Sequence, residues 1–167
     1  MGCSTSLPDN VVQPSAFIGS VVQVNQHYEI PNQKARVYIQ DGNLISKHNL
    51  EKFNTYCSVL MQDLHKAGEP KLKVIPGQFE IIKLRKYNDY AVFPGNLFAS
   101  RRRAFDFPEI VKFEVEMRLK STQQPGVRAL ICAKQVNVMG PLFATDHYPT
   151  ITEIRKALGN AVEIMMP

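Results

Sequence analysis

The residues at the start of the chain, M-G-C-S-T-S, have types and spacing suited to lipid attachment. Gly2 follows a methionine and Ser6 lies four residues later, which fits the N-myristoylation pattern M-G-x-x-x-[ST]. One myristoyl chain binds a membrane only marginally, with a partition constant on the order of 10⁴ M⁻¹, so stable anchoring needs a second signal. The thiol of Cys3, beside Gly2, is a candidate for S-palmitoylation. The sequence therefore predicts lipid on Gly2 and on Cys3.

The same six residues resemble the N-termini of Src-family kinases and of G-protein alpha subunits, which carry M-G-C-x-x-S. The resemblance implies dual acylation at Gly2 and Cys3. It covers residues 1–6 of 167 and implies nothing about the fold or activity of the remainder.

The net charge of +5 is concentrated in one part of the chain. From Lys71 to Lys120 there are eleven Lys and Arg residues against six Asp and Glu, whereas the two signs balance elsewhere. An uneven distribution of this kind favours a basic face directed at an acidic partner. Its candidate binding residues are Arg101, Arg102, Arg103, Lys83, Arg85 and Lys86.

The run Arg101 to Arg103 is flanked by phenylalanines on both sides. Such a run can bind anionic lipid headgroups, at about 1 kcal/mol for each charge near the surface. It can also bind nucleic-acid phosphates while a phenylalanine stacks on bases. A third interpretation is a solvated loop whose phenylalanines return to the core, and the sequence leaves all three open.

The sequence contains none of the common catalytic signatures. It has no phosphate-binding glycine loop, no dinucleotide fingerprint and no nucleophile elbow, and its four histidines never take a metal-ligand spacing. Cys57 and Cys132 lie within apolar patterns without a C-x-x-C pair, so we expect small buried side chains outside any disulfide or zinc site. We therefore expect a non-enzymatic protein with no cofactor.

Hydrophobic periodicity predicts an α+β fold, with five to seven mostly antiparallel strands and two amphipathic helices. The first helix is expected from Leu50 to Lys66, and the second begins near Thr150 with a capping box and an apolar stripe reaching Met165. Strict alternation predicts a strand over Val111–Leu119, paired with Val127–Val138 as a hairpin and covered by the first helix. Further strands are expected near 16–25, 35–39, 44–45, 72–75, 79–84 and 90–93.

Residues 1–15 are expected to be a flexible acylated tail, and residues 16–167 a single domain. No apolar run approaches the roughly 18 residues that span a bilayer. Together these features favour a peripheral protein on the cytoplasmic face of a host or cellular membrane, viral matrix-like or accessory in kind. Its expected partners are the membrane, through acyl chains and anionic lipid, and other proteins, including copies of itself. The alternatives are a nucleic-acid-binding or silencing-suppressor protein and an acylated effector that acts in a host cell.

Overall fold

Ten strands run through the part of the chain that the computed structural model describes, which is residues 14–30, 35–62, 72–90, 109–138 and 147–167. The strands are β1 (Val21–Val24), β2 (Tyr28–Glu29), β3 (Arg36–Gln40), β4 (Asn43–Ile45), β5 (Tyr56–Met61), β6 (Lys73–Val74), β7 (Gly77–Tyr90), β8 (Glu109–Lys120), β9 (Val127–Val138) and β10 (Val162–Met165). The helical elements are α1 (Pro14–Phe17), a 3₁₀ turn (Lys47–Asn49) and α2 (Ile151–Leu158).

Eight of these strands form one antiparallel sheet in the order β10-β1-β7-β8-β9-β5-β3-β4, and β2 pairs with β6 separately. Helix α2 packs against β5, β3 and β10, which come from opposite ends of that order. The sheet must therefore curl around α2. The main hydrophobic core fills the concave side, where Ile154 and Leu158 of α2 belong to one cluster with apolar side chains from seven strands of the sheet.

The predicted α+β class with two helices is wrong. Strands account for 56% of the described residues, and α2 is the only described helix longer than a single turn. The predicted hairpin is correct, because β8 and β9 pair antiparallel with Val115 opposite Cys132. The alternation on β8 is also correct: Phe113, Val115 and Met117 are buried on the concave face, and the residues between them are half-buried on the convex face.

The helix expected from Leu50 to Lys66 is absent over the described residues of that range. Residues 51–55 form a turn, in which the Gln40 side chain bonds the backbone of Glu51, and residues 56–61 form β5. β5 is buried on both of its faces, so apolar residues occupy both, interrupted only by Ser58, and such a nearly continuous apolar run matches helical spacing by coincidence. The helix that covers the sheet is α2.

The capping box of α2 is confirmed. The Thr150 hydroxyl accepts from the Glu153 amide, and the Glu153 carboxylate accepts from the Thr150 amide at 2.7 Å. The helix ends at Leu158, well short of the predicted stripe, because Gly159 takes a φ of +55°. Such a φ is easy for glycine alone, and the chain then extends into β10 at the edge of the sheet.

Cys57 and Cys132 form a disulfide, contrary to the prediction of two unbridged thiols. They are directly opposite each other on β5 and β9, with their Cα atoms 4.0 Å apart, and both are fully buried. Their separation of 75 residues gives no sign of this pairing, since only the sheet register brings them together.

Candidate functional site

The predicted site residues divide into two groups. Gly2, Cys3 and the run from Arg101 to Arg103 lie outside the described residues. Lys83, Arg85 and Lys86 lie on β7, which pairs with β1 on one side and with β8 on the other.

The three basic residues of β7 do not share a face. Lys83 and Arg85 pair with Arg118 and Glu116 on the convex face, because residues opposite each other in a sheet point the same way. Lys86 pairs with Val115 on the concave face, where its ammonium lies 5.0 Å from the ring centroid of Tyr148. Of the three basic residues predicted on this strand, only Lys83 and Arg85 therefore share the convex face.

Arg85 is held by a neighbour two residues along the strand. Its guanidinium donates to the hydroxyl of Tyr87 at 3.3 Å, and this hydrogen bond raises the pKa of Arg85 above its usual range. Among the described residues, neither Lys83 nor Arg85 forms an ion pair with a carboxylate. Both remain positive charges on the convex face.

Two β-bulges flank β8 at the same level of the sheet. On β7 the register passes from Ile81 to Lys83, so that Ile82 is the extra residue. On β9 the register against β5 omits Arg128. Bulges of this kind disrupt the ladder and re-aim side chains. Here they turn Ile82 and Arg128 outward on either side of Arg118.

A groove of about 420 Å³ opens between these bulges. Its lining residues are Gln62, Ile82, Arg118, Leu119, Pro125, Val127 and Arg128. Arg118 is fixed by its Nε, which donates to Glu116 Oε1 at 3.0 Å, while Arg128 is exposed and forms no ion pair with a described carboxylate. We call this feature the double-bulge groove. Two guanidinium groups beside apolar side chains suit an anion that also carries an apolar portion.

The chain enters the sheet next to this groove. The Gly19 amide donates to the Ile81 carbonyl, and the Ile81 amide donates to the Ser20 carbonyl, both at 2.9 Å. Helix α1, immediately before, packs on β7. The described chain begins at Pro14, so the residues that lead back towards Gly2 and Cys3 join it at α1, which packs on β7 with Phe17 buried in the main core.

The sequence alone did not identify Arg118 and Arg128 as a pair. Arg118 is one of several charged residues on the convex face of β8, and Arg128 follows a turn without any motif. A signal does exist on β7, where the apolar residues Phe79 and Ile81 are followed by Ile82 and Leu84. This change of phase in a period-two pattern marks a bulge.

The other features of the described residues are less suited to ligand binding. A larger groove of about 580 Å³ lies at the β3–β4 edge, where Glu29, Arg36 and Lys47 mix both signs of charge. His147 packs on Phe113 with the ring centroids 5.4 Å apart. No group of three or more His, Cys, Asp or Glu side chains in the described ranges could hold a metal ion, and none of the described helices is long and apolar enough to cross a bilayer.

In comparisons with protein-family models, with curated proteins and with solved structures, the chain matches none, so its function must be inferred from its own residues.

Proposed function

We propose that this chain is a non-enzymatic peripheral membrane protein, anchored by a myristoyl group on Gly2 and a palmitoyl group on Cys3. The domain then recruits or assembles partners on the cytoplasmic side, in the manner of a viral matrix or accessory protein. The observation that carries the proposal is one of proximity. Residues 14–20, which follow the M-G-C-S-T-S motif in the chain, pack on β7 and bond the backbone of Ile81, two residues before Lys83 on the convex face.

The physical argument is that membrane binding needs two signals. A single myristoyl chain is a marginal anchor, and either a second acyl chain or a basic surface makes it stable. Near-surface Lys and Arg residues contribute about 1 kcal/mol each on an anionic leaflet. Because the first described residues pack on β7, the strand that carries Lys83, the acyl chains and this basic surface can reach the same bilayer.

The disulfide bears on the proposed location. Bridges of this kind are rare in cytosolic proteins, which are kept reduced by glutathione and thioredoxin. Cys57 and Cys132 are fully buried, so a reductant reaches them only when the sheet opens. Thiol trapping in cells, before and after denaturation, measures whether the bridge is present where the protein works.

The test is acylation and its consequence. Protein made together with a eukaryotic myristoyltransferase should gain the mass of one myristoyl group, and Gly2→Ala should not. In expressing cells, Gly2→Ala should become soluble, and Cys3→Ser should shorten membrane residence without abolishing it. Unchanged membrane fractionation of Gly2→Ala would show that the anchoring proposal is wrong.

A second candidate function, single-stranded nucleic-acid binding, is favoured by one observation. Tyr87 is 40% exposed on the same face as Arg85, which bonds it, and such a pair can stack on a base and bind a phosphate. On this alternative, protein lacking residues 1–13 should bind single-stranded RNA with an affinity that falls steeply with salt. Absence of binding at low salt removes the candidate.

A further inference from the structure

We propose that the double-bulge groove binds the phosphate of an anionic phospholipid headgroup and so sets the orientation of the domain on the bilayer. The inference rests on the proposed function, since it names the lipid contact of a domain tethered through Gly2 and Cys3. It adds a binding site at Arg118 and Arg128, which lie outside the lipid-attachment motif.

The geometry of the groove suits a phosphate group. Arg118 uses only its Nε for Glu116, and its two terminal nitrogens have no hydrogen-bond partner among the described residues. Arg128 projects from the neighbouring bulge with its guanidinium free of described partners. The planar fork of arginine binds phosphate oxygens in pairs, and two such groups can hold one phosphate from two sides.

The charges around the groove favour an anion. Lys83 and Lys120 also lie on the convex face at this level, because they pair with Arg118 and with Glu80 respectively. The carboxylates at this level of the convex face are Glu80 and Glu116, and Glu116 is already engaged by Arg118. Four cations against two carboxylates give the groove a positive potential.

Exposed apolar side chains favour a lipid over a soluble phosphate as the ligand of the groove. Ile82 lines the groove and is 47% exposed, and Ile18, in the connection between α1 and β1, is 53% exposed. Met165, which is opposite Val21 on the adjoining strand, is 40% exposed. An exposed apolar side chain in a basic groove, with further exposed apolar side chains on the neighbouring part of the sheet, matches the boundary between lipid headgroups and acyl chains. Acyl chains on Gly2 and Cys3 would enter the same bilayer.

The experiment uses the full chain made in bacteria without a myristoyltransferase, so that only the folded surface can bind. Its affinity is measured by sedimentation with vesicles of phosphatidylcholine, with and without phosphatidylserine. Arg118→Gln/Arg128→Gln should lose at least about tenfold in affinity for the anionic vesicles. The matched control is Lys47→Gln/Lys52→Gln, which removes the same charge from the connection between β4 and β5 and should lose less than about threefold.

A second pair of variants tests the contribution of apolar side chains to vesicle binding. Ile82→Gln should weaken binding, and Leu44→Gln, an equally exposed residue on the edge strand β4, should not. Arg118→Lys keeps the charge and the fold but removes the fork, so it should also bind less well. Thermal melts of all the variants are compared with the wild type to verify that each is folded.

Three outcomes overturn the inference. Equal losses in the groove and control variants would mean that only net charge matters. No binding of the wild type to anionic vesicles would remove the site altogether. Binding of single-stranded RNA that is lost in the groove variants, with vesicle binding intact, would assign the groove to nucleic acid. None of these depends on acylation, which is measured separately by intact mass, so failure of the groove and failure of the anchor can be told apart.

Discussion

The backbones of Gly42 and Gly159 meet so closely that a Cβ on Gly159 would lie 2.6 Å from the Cα of Gly42. Gly42 is in the tight turn between β3 and β4, and its amide donates to the Ala157 carbonyl at 3.0 Å. Gly159 ends α2 and directs the chain into β10. This contact therefore holds the turn before the edge strand β4 against the end of α2. The chain passes from α2 directly into β10, which is the opposite edge strand.

Replacing Gly159 with alanine should destabilise the protein by at least about 2 kcal/mol. The substitution is penalised twice, by a positive φ that alanine adopts poorly and by overlap with a backbone that cannot move aside. Chemical denaturation measures the loss. Gly126→Ala is the control, because its Cβ would lie 3.6 Å from a methionine methyl group and its φ is not positive. Similar denaturation midpoints for the two variants would contradict the close contact.

Reduction of the Cys57–Cys132 bridge should lower the free energy of unfolding by about 2–4 kcal/mol. The bridge closes a separation of 75 residues and so restricts the unfolded chain. Denaturation curves with and without dithiothreitol give the difference. The double variant Cys57→Ala/Cys132→Ala should show no response to the reductant. A wild type with the same midpoint in both conditions would mean that the two thiols are not bridged.

Local patterns predicted the parts of the fold that short-range physics decides. Three features could be predicted because neighbouring residues alone determine them: the alternation on β8, the Asp41-Gly42 turn and the capping box at Thr150. The fold class was not, because β5 is buried on both faces and its apolar run suits a helix as well as a strand. The second helix was predicted too long because Val162, which lies in β10, happens to fall at helical spacing from Leu158. Gly159 was a signal that the helix ends before it.

The candidate site was even harder to predict from the sequence than the fold class. Arg118 and Arg128 are ten residues apart on different strands, and they line one groove because two bulges open the sheet beside them. Lys86 was grouped with Lys83 and Arg85 because all three are basic and adjacent. The bulge at Ile82 determines which of these three side chains lie on the convex face, because a change of register by one residue moves every later side chain of the strand to the opposite face.

The Glu153 carboxyl links stability to pH. Partial burial raises its pKa, but hydrogen bonds from the Lys134 ammonium and the Thr150 amide outweigh this effect, and the net pKa lies below its ordinary value of 4.5. A carboxyl with a lowered pKa in the folded state stabilises the protein above its unfolded pKa. That contribution is lost as the pH falls below 4.5 and through the folded-state value.

Glu153→Gln should therefore be less stable than the wild type at neutral pH, and the difference should shrink as the pH falls below about 4.5. Solvent screening of the partly exposed Glu153 keeps the difference small, on the order of 1 kcal/mol. Denaturation series at several pH values measure it. A difference that stayed constant down to pH 2–3, which is below the ordinary titration range of a glutamate, would contradict the role of the ionised carboxylate.

The two faces of β8 should respond very differently to substitution. Phe113 is 4% exposed and packs edge-on against Tyr148, with the ring centroids 5.2 Å apart. Phe113→Asp removes these contacts and buries a carboxylate whose nearest cation, Lys134 on the opposite strand, is already bound to Glu153, at a cost of several kcal/mol, so the protein should unfold or aggregate.

Lys112, one residue earlier, lies on the convex face and pairs with Glu114. Lys112→Gln should cost no more than about 1 kcal/mol, because a half-exposed ion pair contributes little. Thermal melts and the soluble yield of the two variants measure the contrast. Equally mild effects would mean that the concave side of β8 is not the core. The convex face of the same strand, which carries Arg118, could then no longer be assigned to an external partner.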